Sequence, residues 1–234
     1  MSHIDIELTK VKTKLMEMWD LVEYQLQSGR EAMNNVDLEL AKKIIKLGRK
    51  VNNYDVKIDR MCENIFALFT PVAVDLRVLL AILKINANLE RIGDTAEGIA
   101  QFVQRMDKQL PADLVAQTRV QEMYEEALVM LAECRVAFSN NDTDLAKALI
   151  KRDKMLNSIY RQSDSIIVTF IRDNPDSVKD GLTLLPIIKK LERVGDQITN
   201  IAEEIIFYRD AKVIKHKEKK KKKKKDDENQ PPEA

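Results

Sequence analysis

The sequence predicts an all-α protein: a tandem pair of antiparallel three-helix bundles, six helices in all, followed by a disordered lysine-rich C-terminal tail. Three observations carry that prediction. Only six glycines, six prolines and 5% aromatic residues occur in 234 positions, with 33% charged and 44% hydrophobic, a composition of long amphipathic helices and not of a turn-rich sheet. Two segments recur in the same order: LERIGDTAEGIA at 89–100 shares seven of twelve residues with LERVGDQITNIA at 191–202, and LAKKIIKLGRKVN at 40–52 shares six of thirteen with LAKALIKRDKMLN at 145–157. A tandem duplication explains both matches. Helix start and stop signals then divide each half into three.

Taken in order, Asp5 precedes an apolar-periodic run ending near Gly29, and Asp37 opens a second helix reaching about Phe69. Thr70-Pro71 supplies an N-cap with proline at the first helical position of a third helix, which runs to about Arg105. Pro111 opens the fourth, ending near Ser139; Asn140, Asn141 and Asp142 mark the next turn; Asn174-Pro175-Asp176 separate the fifth from the sixth, which ends near Arg209. The expected division is 1–108 for the first repeat, 109–211 for the second and 212–234 for the tail. Short loops and inward-facing apolar stripes make each repeat a bundle.

Charge and cysteine content narrow the function classes. The tail carries ten lysines and one glutamate between Lys212 and Lys225, then Asp226, Asp227, Glu228 and Glu233, so the folded part is mildly acidic. Seven consecutive lysines, Lys219 to Lys225, repel one another and extend into solvent, which suits peripheral contact with an anionic membrane surface. Nucleic acid is not expected, because the folded part is acidic and the tail lacks aromatic residues for stacking. Cys62 and Cys134 are too few and too far apart for a disulfide framework or a CxxC pair, which fits a reduced cytoplasmic compartment. No apolar run suits a signal peptide or a membrane span.

The residues that invite chemistry are acids at helical spacing. Glu90 and Asp94 share one helix face, with Glu97 a turn beyond, and Glu192 and Asp196 repeat the pair; Asp55, Asp59 and Glu63 form a row on the second helix, of which the second half keeps Asp164. Side chains four apart stand about 5–6 Å from one another, so like charges there call for cations, a metal or water. Metal binding competes with a solvated acidic face in which Arg60, Arg91 and Arg193 are the partners. His3 and His216 lie near the termini, so a core metal site would use carboxylate oxygens and water, favouring hard or borderline ions such as Mg²⁺, Mn²⁺ or iron. Gly93 and Gly195, between the two acids of each motif, are expected to let a neighbouring helix approach closely. Gly98 has Asn200 as its repeat mate and receives no role. Cys62 reads as a small buried hydrophobe. Glycine-rich phosphate loops, Ser-His-Asp sets and HExxH motifs are missing, so no enzyme is expected; the catalytic alternative is a carboxylate-metal helical hydrolase.

LAKKIIKLGRKVNNYDVKID, PVAVDLR and LERIGDTAEGIA, followed by LAKALIKRDKMLN and LERVGDQITNIAEE, resemble the PhoU family of phosphate-signalling proteins over roughly residues 5–210. The resemblance implies two three-helix bundles and a cytoplasmic negative regulator of the phosphate-starvation response. It also implies a sensor histidine kinase and a phosphate ABC transporter ATPase as partners, and a homodimer. It further implies iron or another metal at Asp55, Asp59, Glu90, Asp94, Asp164, Glu192 and Asp196. An accessory role in a different phosphate transporter is the milder alternative. Three departures predict unequal halves: Gly48 where the repeat has Asp153, Gln101 where it has Glu203, and Tyr160 where the first half has Asp55.

Overall fold

The computed structural model describes residues 2–211, and the lysine-rich tail lies outside them. Helices α1 (His3–Asn35), α2 (Leu38–Phe69) and α3 (Ala73–Val103) form the first bundle; α4 (Ala112–Thr118), α5 (Val120–Asn140), α6 (Thr143–Asp173) and α7 (Val178–Asp210) form the second. Among the described residues there is no strand, and no helix is long and apolar enough to cross a membrane.

Helix ends follow their local chemistry, with four departures from expectation. Ser2, and not a residue at Asp5, caps α1: its hydroxyl accepts from the Asp5 N–H while Asp5 accepts the Ser2 N–H at 2.7 Å, so Asp5 is the reciprocal partner of a capping box. Gly29 does not end α1; it lies inside the helix, where a β-carbon would come within 2.6 Å of the buried Tyr124 hydroxyl and glycine is what the contact admits. Thr70 closes α2 with φ 45°, and α3 begins two residues later than Pro71 implied, with Val72 as its N-cap. The fourth predicted helix is two, so the second bundle has four helices. Arg119 takes φ 55° between α4 and α5, where the Thr118 hydroxyl turns back to the Leu114 carbonyl at 2.7 Å and Arg119 pairs with Glu122 in the next turn. Asp37 and Asp142 cap α2 and α6, accepting from the Leu40 and Leu145 N–H groups at 2.9 Å each.

Apolar faces bury against one another within each bundle and then across both. Leu15, Trp19, Ile44, Ile58, Leu79, Ile82 and Leu89 are fully buried in the first, Tyr124, Leu149, Leu156, Leu184 and Leu191 in the second, and all belong to one continuous cluster. Two helix pairs join the bundles. Trp19 on α1 donates its indole N–H to the Leu131 carbonyl on α5 at 3.3 Å and stacks near Phe138. Helices α3 and α7 run antiparallel, as the ladder of contacts shows: Lys84 to Glu204 at 3.1 Å, Asn88 to Asn200 at 3.4 Å, and Gly98 beneath Lys190. Each repeat therefore presents its last helix to the other. The segment 104–111, which contains the expected boundary, is tied to the start of α7 by Asp107–Lys179 at 2.7 Å and Lys108–Asp180 at 3.6 Å.

Candidate functional site

The two Leu-Glu-Arg-aliphatic-Gly-Asp motifs fall on α3 and α7, each facing the second long helix of its own bundle. Their glycines do what their missing side chains allow. A β-carbon on Gly93 would stand 3.1 Å from Val51 Cγ1 and 3.3 Å from Gln25 Oε1. On Gly195 it would overlap the Asp153 carboxylate and come within 2.5 Å of Leu156 Cδ1. Val51 and Leu156 are repeat mates, so the same close helix crossing has been kept in both halves.

In the first bundle that crossing gathers Asp55 and Asp59 from α2 with Glu90 and Asp94 from α3. Burial, together with the Asp59 and Asp94 charges, raises the Asp55 carboxyl above its ordinary pKa. Burial, the Asp94 and Asp55 charges and a hydrogen bond with Asp94 do the same to Glu90. Between the α2 acids sits Asn86, fully buried and one turn before Glu90: its Nδ2 donates to Asp55 Oδ1 at 2.8 Å, Asp59 Oδ1 at 3.0 Å and the Asp55 carbonyl at 3.0 Å. Beside Asp94 lies a cation from the other bundle. Lys190 of α7 sets its Nζ over Gly98, where a β-carbon would otherwise be; burial and neighbouring Arg193 lower its pKa, and the Asp94 charge opposes them. Gly98, given no role from sequence, is the gap that admits this lysine.

The second bundle gathers a different set. Asp153 of α6 reaches Glu192 and Asp196 of α7, and burial followed by those two charges raises its carboxyl to about 6. Asn157 donates to Asp153 Oδ2, while Asp153 Oδ1 has no hydrogen-bond donor among the described residues. Glu192 is raised chiefly by burial and by Asp196, against the pull of Arg193 and Lys189. Asp164 is exposed and eleven residues along α6 from Asp153, roughly 16 Å away. It does not act on the Asp153 or Glu192 carboxyls.

The missing aspartate at Gly48 is replaced in space. The Glu97 carboxylate occupies the volume over Gly48, its Cδ 3.2 Å from where a β-carbon would stand, and Gln101 Nε2 donates to Glu97 Oε1 at 3.1 Å. Gly48 and Gln101 are thus two ends of one rearrangement. Cys62 beside this row is buried, and burial with the Asp59 and Glu63 charges pushes its thiol up to about 12, so it stays protonated and unreactive. Among the described residues no three His, Cys, Asp or Glu side chains are arranged to hold a metal ion. Asn86, Asp153 and Lys190 were outside the candidate set; Asn86 at four residues before Glu90, and Asp153 as the acid opposite Gly48, carried a spacing signal, whereas Lys190 comes from the other bundle and carried none.

Comparison with known proteins covers nearly the whole folded region. A family profile described as the PhoU domain matches residues 15–103 and 120–205. The chain is 30% identical over 216 residues to a phosphate-specific transport system accessory protein PhoU homolog of Burkholderia sp, covering 92% of each. It is 32% identical over 215 residues to the Escherichia coli phosphate-specific transport system accessory protein PhoU, covering 92% of this chain and 88% of that one. The crystal structure of PhoU from Pseudomonas aeruginosa superposes with a TM-score of 0.85 at 29% identity over 90% of this chain and 100% of that one. The phosphate transport system regulatory protein PhoU from Streptococcus pneumoniae gives 0.83 at 27%, over 91% and 99%.

Proposed function

The chain belongs to the PhoU family, and from that premise we propose that it is a regulatory accessory of phosphate transport. The observation that carries this reading is the match of both repeats, each with its motif on the third long helix, to relatives named for that role. In finer terms, the protein is a negative regulator of the phosphate-starvation response. It acts at the cytoplasmic side, where it couples a phosphate ABC transporter, through its ATPase, to a sensor histidine kinase, and it does so as a homodimer and without catalysis. The lysine tail adds attraction to the anionic membrane leaflet, each lysine contributing on the order of 1 kcal/mol within a Debye length of about 8 Å. Deleting the gene is expected to switch on phosphate-starvation genes in phosphate-replete medium; unchanged expression refutes the regulatory role. Affinity capture from the same cells tests the kinase and the ATPase. Binding to anionic liposomes at low salt that a 1–211 truncation retains in full would remove the tail's role.

Metal binding is a second proposition, with the donor chemistry of the second bundle in its favour. Asp153, Glu192 and Asp196 offer only oxygen donors, and the buried Asp153 Oδ1 accepts no hydrogen bond among the described residues, although the three carboxylates are not already arranged as a metal site. A hard or borderline ion, iron, Mn²⁺ or Mg²⁺, would neutralise them and tie α6 to α7. Elemental analysis of protein purified without chelator tests it.

A further inference from the structure

The acids of the first bundle already have donors of their own. Asn86 is completely buried, so its amide cannot swing into water, and it spends its two N–H groups on three acceptors belonging to Asp55 and Asp59. A divalent ion bridging Asp55 and Asp59 through their Oδ1 atoms would compete with the amide for those lone pairs and for the space between the two side chains. Asp94 meanwhile lies within the field of Lys190 from α7. The second bundle has no counterpart to this bridge: the repeat mate of Asn86 is the buried apolar Ile188, and that of Asp55 is Tyr160.

We propose that Asn86 stands between Asp55 and Asp59 as a built-in counter-donor that keeps the first acidic row closed to metal ions, leaving any metal load to the second bundle. The duplication makes this a matter of one residue. Where the chain keeps both α2 acids it also places a buried amide against them, and where it loses one of them it places an aliphatic side chain. The amide also gives two half-buried aspartates one turn apart a shared donor, because each offers its Oδ1 to it. Turning the amide over would set its oxygen against both carboxylates, an arrangement that needs a proton or a cation between them.

The inference rests on the PhoU reading only for the second-bundle metal, and the test keeps the two apart. Full-length protein is stripped with chelator and titrated with Mn²⁺ by calorimetry, alongside thermal unfolding with and without Mn²⁺. Asp55→Asn combined with Asp59→Asn is expected to leave Mn²⁺ stoichiometry unchanged and Kd within about 2-fold of wild type. Asn86→Asp replaces the amide with a third carboxylate and is expected to create a Mn²⁺ site with Kd at least 10-fold below any first-bundle binding by wild type, and a Tm that falls without Mn²⁺ and recovers with it. Asn86→Leu removes the donors without adding charge, so it decides the matter if the acid variant does not fold: a Mn²⁺-dependent rise in Tm that persists with Asp196→Asn is expected. Loss of Mn²⁺ from wild type when Asp55 and Asp59 are neutralised overturns the proposal, as does failure of both Asn86 variants to gain a Mn²⁺ response. If wild type binds no Mn²⁺ while Asn86→Asp does, the second-bundle metal falls and the role of Asn86 stands.

Discussion

The two bundles share a backbone plan and differ in how they accommodate crowded carboxylates. Gly93 and Gly195 let α3 and α7 approach Val51 and Leu156 at equivalent positions, yet the acids around them are neutralised differently. In the first bundle an amide bridges Asp55 and Asp59, a lysine crosses from the other repeat, and Glu97 fills the space over Gly48. In the second, burial and the Asp196 and Glu192 charges raise the Asp153 carboxyl to about 6. Duplication has preserved the close packing and let the electrostatic solution diverge.

Alanine at the paired glycines should break the symmetry most strongly. Gly195→Ala forces its methyl into Leu156 and Asp153, both buried, and should destabilise by about 2–3 kcal/mol as overpacking. Gly93→Ala meets only contacts of 3.1 Å and longer, and the helix-propensity gain of about 1 kcal/mol offsets much of the strain, so its effect should stay within ~1 kcal/mol. Urea unfolding of the two variants measures the difference; equal losses would mean that the crossings are equally tight.

Next in size is a pH effect at Asp153, the acid of the two clusters whose carboxyl is raised furthest. The Asp153 carboxyl lies at about 6 in the folded protein against 3.8 unfolded, so its contribution is fully present below pH 3.8 and lost as pH rises through 6. Asp153→Asn should remove that slope and, in chelator at pH 7.5, stabilise by on the order of 1–2 kcal/mol once solvent screening is allowed for. Chemical denaturation at pH 5 and 7.5 reads it, and an unchanged slope in the variant would assign the titration elsewhere. Smallest of all is Gly48→Ala, because the obstructing carboxylate is the end of a flexible glutamate; the change should be neutral or stabilising by up to ~1 kcal/mol in the same assay, and a large loss would show that Glu97 cannot move aside.

Much of this was legible in the residues. The duplication, the all-α class and the caps at Asp37 and Asp142 follow from periodicity and cap chemistry, and Glu90, Asp94, Glu192 and Asp196 fall on the expected faces. Other features depend on what lies across space. Gly29 looked like a helix end because nothing local reveals the Tyr124 hydroxyl opposite it. Arg119 gave no break signal, since a left-handed arginine is held by its neighbours and not by its own preference. Lys190 reaches the first bundle only because α3 and α7 pack antiparallel, a register no single helix encodes. Asp164 keeps the α6 position equivalent to Asp59 and is exposed there, eleven residues from Asp153.

The central claim, that the Asn86 amide closes the first acidic row to metal ions, is tested most directly by anomalous diffraction from crystals of the full-length protein grown in Mn²⁺. The account predicts an anomalous peak among Asp153, Glu192 and Asp196 and none between Asp55 and Asp59. A peak between Asp55 and Asp59, with the Asn86 amide displaced, would contradict it.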